Sequence, residues 1–298
     1  MKRAVRATVA GARYLDLQKM ARRTGRPTDE LIQLYALECF LDRVTRSDFA
    51  QNFVLKGGVL LAALDARRPT RDIDLAARAL RNTEAEILAI VRQIAEIALD
   101  DGVEFDAERA AASVIREEDD YSGIRVTLSG KLSRATINLH VDVNVGDPIW
   151  PEPQQVSLPR LLHGALLVRG YPLEMVLAEK VATAMARGTA NTRWRDFVDI
   201  YTLVQRHAID GATFLASLGR VSQYRKLVLL SLESVLAGYA EIAQPRWAAW
   251  IRKQRLAGAI PTEFSAVLKA VIAFADPIIV AQAAGNSTWD PAHRRWKS

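Results

Sequence analysis

Two short stretches, Phe53-Val54-Leu55-Lys56-Gly57-Gly58 and Arg71-Asp72-Ile73-Asp74-Leu75, contain the pattern that decides the fold. In the first, an apolar strand ends at a Gly-Gly turn, and the apolar run that follows predicts a short buried helix. In the second, acidic and apolar residues alternate, which is typical of a strand with one buried face. A strand, a glycine turn, a helix and an acidic strand in this order predict a small sheet with helices on its faces.

The acidic strand suggests a cation site. Asp72 and Asp74 are two residues apart on a strand, so both carboxylates point to the same side. Asp142 lies on the polar face of a further predicted strand, Ala135–Val143. Neighbouring carboxylates repel each other unless a cation lies between them, and oxygen ligands suit Mg²⁺. The pattern predicts Mg²⁺ (or Mn²⁺) at Asp72, Asp74 and Asp142, although Asp142 could instead accept a proton from an attacking hydroxyl.

The glycine turn suggests a phosphate site. A Gly-Gly turn between a strand and a helix exposes backbone N–H groups that attract phosphate. Lys56 adds a positive charge directly before Gly57 and Gly58. We therefore expect these three residues to contact a nucleotide.

A second motif lies further along the chain. Lys180 and Arg187 are seven residues apart and share one face of a predicted helix. Arg193, Asp196 and Asp199 are spaced by three and share a face of the next helix. The spacing fits a lattice of salt bridges between helices as well as it fits a functional site.

Together these residues resemble the nucleotidyltransferase superfamily and, more closely, the AbiEii family of toxins, which includes the MenT toxins. The resemblance extends over most of the chain. It implies an α+β fold with a nucleotidyltransferase-like mixed β-sheet core, flanking helices and a helical C-terminal region. In the family, residues matching Lys180 and Asp199 belong to the active site. Lys180 would hold the triphosphate of an NTP, Asp199 would orient Lys180 or an incoming group, and Arg193 would support nucleotide binding.

The resemblance also implies a reaction and partners. A nucleoside monophosphate would pass from an NTP to an RNA, with the tRNA 3′ end as the expected acceptor and a block of translation and growth as the result. A cognate antitoxin protein would be a partner. Two alternatives stay open: a protein kinase or self-phosphorylating phosphotransferase on the same metal site, and a non-catalytic NTP-binding module.

The charge distribution fits an RNA partner. The chain of 298 residues has a net charge of +6. Two basic clusters are candidate RNA contacts: Lys19, Arg22 and Arg23 near the N-terminus, and Arg252, Lys253 and Arg255 near the C-terminus. Trp247 and Trp250 could pack or stack beside the second cluster. The competing interpretation is that both clusters are solvated helix faces.

Domain boundaries and cellular location follow from composition. We expect an N-terminal helical segment at residues 1–50, the core at 51–160 and a mostly helical domain at 161–298. One cysteine, Cys39, excludes an internal disulfide and predicts an inert core thiol. The chain contains no uninterrupted apolar run long enough to span a membrane and no apolar block of a signal peptide, so we expect a cytoplasmic protein, with a monomer favoured.

Overall fold

The computed structural model describes residues 4–116, 122–281 and 287–297. The chain forms two compact units: Met1–Asp147 with Pro153–Tyr171, and Pro148–Glu152 with Pro172–Ser298. The division differs from the predicted one, because residues 1–50 belong to the same unit as the core and the main boundary falls after Tyr171 rather than at residue 160.

The first unit contains four helices and seven strands in the described ranges. In chain order they are α1 (Val9–Thr24), α2 (Thr28–Arg46), β1 (Phe53–Lys56), α3 (Gly57–Leu60, extended by a 3₁₀ turn at Leu61–Leu64), β2 (Asp72–Ala77), α4 (Glu84–Ala95), β3 (Val103–Arg116), β4 (Ser122–Leu132), β5 (Ala135–Val145), β6 (Gln154–Pro159) and β7 (Ala165–Gly170).

The seven strands form one mixed sheet in the order β3-β4-β5-β2-β1-β7-β6. The β2–β5 and β1–β7 pairs are parallel, and the other pairs are antiparallel. Helix α2 packs against β5 and β7, and α4 packs against β3 and β4. The predicted α+β fold, with a mixed sheet and flanking helices, is confirmed.

The core of this unit follows the alternation seen in the sequence. Ile73, Leu75, Val141 and Val143 are buried, whereas Asp72 and Asp74 alternate with the first two and remain partly exposed. Burying the apolar side chains of the central strands is the main favourable contribution to folding. It also fixes the opposite face of β2 and β5 as the polar one.

The second unit is mainly helical. Its elements are α5 (Leu173–Arg187), α6 (Trp194–Val204), β8 (Ile209–Asp210), α7 (Gly211–Tyr224), α8 (Leu232–Val235), α9 (Tyr239–Gln254), α10 (Phe264–Ala281), β9 (Thr288–Asp290) and β10 (Arg295–Lys297). The three short strands form a separate sheet in the order β10-β9-β8. Trp247, Phe264, Phe274 and Trp289 are fully buried and make up much of the aromatic core.

Beyond Pro159 the described part of the chain is mostly helical, as expected, with the exception of four strands. Strand β7 lies there, as do the three strands of the small sheet. Strand β7 is a short apolar run, and such runs fit a buried strand and a buried helix equally well. Its exposure alternates, since Leu166 and Val168 are buried whereas Leu167 is 71% exposed, and this period of two is visible only in the structure.

Within the described residues, no helix is both long enough and apolar enough to cross a membrane.

A buried ion pair joins α2 to the loop before β3. Arg43 and Asp101 have side chains 3% and 7% exposed, with Arg43 Nη1 2.5 Å from Asp101 Oδ2. Asp101 Oδ1 also accepts the backbone N–H of Val103 at 2.9 Å. The carboxylate therefore holds the start of the edge strand β3 against α2.

We predict that Asp101→Ala lowers the free energy of unfolding by about 3–5 kcal/mol, because it leaves the buried guanidinium of Arg43 without its carboxylate. Urea unfolding followed by circular dichroism measures the change. The control is Asp100→Ala at the exposed neighbouring position, which should change stability by no more than about 0.5 kcal/mol. Equal effects of the two substitutions would contradict the assignment.

Candidate active site

Four charged residues lie in one row across the polar face of the sheet, and we call them the charged row: Lys56, Asp74, Asp142 and Arg125. Lys56 on β1 is opposite Asp74 on β2, Asp74 is opposite Asp142 on β5, and Asp142 is opposite Arg125 on β4. Side chains of directly opposed residues project on the same face and interact. The sheet thus brings two predicted carboxylates together and places one cation at each end.

Asp142 is held by Arg125. The guanidinium binds the carboxylate through two hydrogen bonds, Nε to Oδ1 at 2.8 Å and Nη2 to Oδ2 at 2.6 Å. The Asp142 side chain is 11% exposed. Paired hydrogen bonds of this kind are among the strongest that proteins make, and the contact raises the pKa of Arg125 above its ordinary value.

The surroundings of Asp74 disfavour its ionised form. Burial and the neighbouring Asp142 carboxylate raise its pKa to about 6, although the Lys56 ammonium acts in the opposite direction. The backbone N–H of Gly58 donates a long hydrogen bond of 3.4 Å to Asp74 Oδ2. Lys56 and Gly58 therefore stabilise the negative charge of Asp74 only in part.

The Gly-Gly turn is shaped around Asp74. Gly57 has φ of +65°, and a Cβ there would clash with the Asp74 carboxylate. A Cβ at Gly58 would lie 3.0 Å from both Arg68 Nη1 and Thr70 Oγ1. Gly57 is thus required by close approach and by its left-handed backbone, whereas Gly58 lies at a position with little room for a side chain.

Asp72 forms a second row beside the first. It is opposite His140 on β5, and His140 Nδ1 lies 2.9 Å from Asp72 Oδ1. His140 shares the polar face with Asp142, as the sequence indicates, and its contact with Asp72 places it among the candidate site residues. Lys56, predicted to bind nucleotide, has its ammonium 2.5 Å from Asp147 Oδ2 and 5.8 Å from the ring of Tyr171.

The predicted metal ligands are neighbours but do not form a closed ligand cage. No three His, Cys, Asp or Glu side chains in the described ranges come together as a metal-binding group. Arg125 engages both oxygens of Asp142, and His140 engages Asp72. The donor chemistry still fits a hard divalent cation, since Asp72 and Asp74 present carboxylate oxygens on one face, and burial together with Asp142 raises the pKa of Asp74.

The second predicted motif lies in the second unit. Lys180 on α5 donates hydrogen bonds to Asp196 Oδ1 at 2.6 Å and Asp199 Oδ2 at 2.8 Å, both on α6. The Lys180 and Asp199 side chains are 10% and 3% exposed. Arg193 is the residue before α6 and lies at its N-cap position. The helix-to-helix salt bridges considered from the sequence are thus present, and the role of Lys180, Asp199 and Arg193 in nucleotide use stays a prediction.

The two basic clusters lie on exposed surfaces of different units. Lys19, Arg22 and Arg23 are exposed on α1, and Arg252 and Lys253 are exposed at the end of α9, with Arg255 directly after it. Of the two tryptophans beside the second cluster, Trp247 is fully buried and donates to the carbonyl of Pro261, whereas Trp250, on which it stacks at 5.6 Å, is half-buried. Trp247 is therefore a core residue rather than a platform for a base.

The sequence model of the family described as "Nucleotidyl transferase AbiEii toxin, Type IV TA system" matches residues 39–270. The chain belongs to this AbiEii family. Membership makes the protein a transferase of the nucleotidyltransferase class and a toxin of toxin–antitoxin systems, and confirms the resemblance found in the sequence.

Solved structures that match the chain include two from Helicobacter pylori. One, JHP933, is 14% identical, with 80% of this chain and 92% of that chain covered and a TM-score of 0.46. The other is a candidate nucleotidyltransferase, also 14% identical, with coverages of 79% and 92% and a TM-score of 0.45. No curated protein sequence matches the chain.

Within the charged row, Arg125 is the member that the sequence motifs do not identify. It lies on β4, where it alternates with the buried Ile124 and Val126 and thus faces the polar side. That alternation could have placed it on the face of the acids. Only the strand register places it opposite Asp142.

We predict that Asp74→Asn stabilises the protein in the absence of cations at pH 7, by an amount on the order of 1–3 kcal/mol. In the folded protein the pKa of Asp74 is raised from 3.8 to about 6, so ionised Asp74 destabilises the fold. The cost is fully present above pH 6, falls between pH 6 and pH 4, and vanishes below the unfolded-state pKa.

Urea unfolding of wild type and Asp74→Asn at pH 4, 5, 6 and 7 with EDTA tests this. The gain should shrink as the pH falls. Asp48→Asn, at an exposed position after α2, is the control and should show no such trend. A pH-independent difference for Asp74→Asn would mean that its carboxylate is not strained in the fold.

Proposed function

We propose that this AbiEii protein transfers a nucleoside monophosphate from an NTP to an RNA, with the 3′ end of tRNA as the acceptor. The observation that carries the proposal is the register of β2 and β5, which sets Asp74 beside Asp142 with Asp72 on the same face. Nucleotidyl transfer concentrates negative charge on the reacting phosphate, and acids that gather cations are suited to offset it.

Asp72 and Asp74 are the proposed ligands of a divalent cation, Mg²⁺ or Mn²⁺, and Asp142 completes the set. The bound cation would stabilise the negative charge that develops on the phosphate oxygens during the transfer. Each carboxylate oxygen has two lone pairs, so the pairing of Asp142 with Arg125 leaves acceptor capacity. Gly57 and Gly58 are proposed to let the phosphates approach the backbone, since glycine has no side chain to stand between a ligand and the backbone N–H.

In the proposed reaction the acceptor hydroxyl attacks the α-phosphorus of the NTP. A new oxygen–phosphorus bond forms, the bond from the α-phosphorus to the bridging oxygen breaks, and pyrophosphate leaves while the hydroxyl proton passes to solvent. A kinase using the same site would release a nucleoside diphosphate. Modification of the tRNA 3′ end would block translation and growth. From the family we also propose a cognate antitoxin as partner and a cytoplasmic location.

We predict that Asp72→Asn and Asp74→Asn each lower transfer at least about a hundredfold, because a lost metal contact removes several kcal/mol of charge stabilisation. The assay incubates purified protein with total tRNA and each of the four NTPs, labelled on the α- or on the γ-phosphate. Label from the α-phosphate should appear in tRNA, and γ-label should appear only in pyrophosphate.

The control variant for this assay is Asp48→Asn, which should keep wild-type activity. Transfer of γ-label to protein or RNA would favour the kinase alternative. Wild-type activity in Asp72→Asn or Asp74→Asn would remove the metal assignment, and nucleotide binding without turnover on any RNA would favour a binding module.

We predict that Lys180→Ala weakens NTP binding by roughly tenfold to a hundredfold, as expected for the loss of a charge-assisted phosphate contact. The family resemblance motivates the role of Lys180 in binding the triphosphate. The hydrogen bond from Lys180 to Asp199 supports the proposed role of Asp199 as the residue that orients Lys180. The same substitution leaves the buried Asp199 without this ammonium, so thermal stability should fall as well.

Two measurements on Lys180→Ala separate a nucleotide role from a structural one. Thermal melting gives the stability loss, and calorimetric titration with NTP well below the melting temperature gives the affinity of the folded protein. Reduced stability with wild-type NTP affinity would make Lys180 a purely structural residue of the second unit.

We predict that the basic clusters bind the acceptor RNA. Reversing Arg252, Lys253 and Arg255 to Glu should weaken tRNA binding and flatten the salt dependence by about one unit of log–log slope for each lost phosphate contact. Binding of NTP alone should not change. The matched comparison is reversal of Lys19, Arg22 and Arg23. If both triple variants keep the wild-type affinity and salt slope in filter binding at several KCl concentrations, both clusters are solvated surfaces.

A further inference from the structure

Arg125 is the one member of the charged row that no sequence motif assigns. Its guanidinium binds Asp142 with two hydrogen bonds of 2.8 and 2.6 Å. Its side chain is 36% exposed, against 11% for Asp142. The Arg125 guanidinium therefore lies at the rim of the site and the Asp142 carboxylate lies inside it. The guanidinium can move away without disrupting a packed core.

The two hydrogen bonds place a positive charge beside carboxylates that repel one another. Asp74 and Asp142 are opposed on neighbouring strands, and Asp142 contributes to the raised pKa of Asp74. Arg125 also interacts with the charges of Asp72 and Asp74. A positive charge at this place offsets the repulsion among three carboxylates.

The same hydrogen bonds oppose a metal ion. A divalent cation that shares Asp142 with Arg125 is repelled by the guanidinium a few ångströms away, and this repulsion is strong where side chains are partly buried. A cation that takes a lone pair of Asp142 also weakens the paired hydrogen bonds, since their geometry depends on both oxygens.

We propose that Arg125 is a positioning residue for the AbiEii reaction: it acts as the resident counter-ion of Asp142 and competes with the divalent cation for that carboxylate. The inference rests on the proposed function, since it takes Asp142 as a ligand. In the cation-free protein Arg125 neutralises Asp142 and fixes the orientation of its carboxylate. When the cation binds, Arg125 releases at least one oxygen of Asp142.

The test is Mn²⁺ binding to the full-length protein without nucleotide or RNA, followed by electron paramagnetic resonance of free Mn²⁺. Arg125→Gln removes the competing charge and should bind Mn²⁺ at least about fivefold more tightly than wild type. Arg125→Lys keeps the charge but cannot form the paired hydrogen bonds, so its gain should be smaller. Arg109→Gln, on the exposed part of β3 with a side chain 84% exposed, is the control and should match wild type.

Asp142→Asn links the effect to the ion pair. In that background Arg125→Gln should tighten Mn²⁺ binding by less than half as much on a logarithmic scale, because only the through-space repulsion is left. Thermal melts accompany each variant, and Arg125→Lys carries the test should Arg125→Gln fail to fold.

The remaining outcomes overturn the inference in distinguishable ways. Unchanged Mn²⁺ affinity in Arg125→Gln and Arg125→Lys would show that the ion pair does not compete with the cation. Weaker affinity would make Arg125 a support of the metal-binding geometry instead of a competitor. Either result leaves the metal site itself in place, whereas absence of Mn²⁺ binding in the wild type would overturn the metal assignment of the proposed function together with this inference.

Discussion

The parallel pairing of β2 with β5 is the constraint on which the site depends. It sets Asp74 directly beside Asp142, and two carboxylates in such contact repel each other. Burying Ile73, Leu75, Val141 and Val143 on the other face holds this register, because a shift by one residue would turn the apolar side chains outward. The hydrophobic core thus maintains an unfavourable charge arrangement on the polar face.

The residues around Asp74 and Asp142 reduce the repulsion between these two carboxylates but do not remove it. Arg125 and Lys56 flank the acids at the two ends of the row, and Gly58 donates its N–H to Asp74. The pKa of Asp74 is still raised to about 6, so the compensation is incomplete. Incomplete compensation is a common property of functional sites, where groups are kept in states that a stability-optimised fold would avoid.

Much of this could be predicted from the sequence because strand alternation and glycine turns are local signals. They placed Asp72 and Asp74 on one face and predicted the order of β1, α3 and β2. The partners of the acids could not be predicted, since the pairing of Arg125 with Asp142 depends on which strands become neighbours and in what register. Strand β7 is missed for a related reason: its short apolar run has no local feature that separates a strand from a helix, and only its pairing with β6 and β1 decides the outcome.

The charge balance of the row bears on how an acidic site can accept anionic substrates. Lys56 and Arg125 match Asp74 and Asp142 in number, so the row is formally neutral when all four are ionised, and Asp72 with His140 lies beside it. On the proposed function, a bound divalent cation would offset the negative charge of this face, to which Asp72 and Asp147 also contribute, so the triphosphate of an NTP would be repelled less. The row by itself offers no excess positive charge to a long polyanion such as tRNA. Affinity for the acceptor must then come from basic surfaces outside the row, which separates the residues that activate the nucleotide from those that hold the RNA.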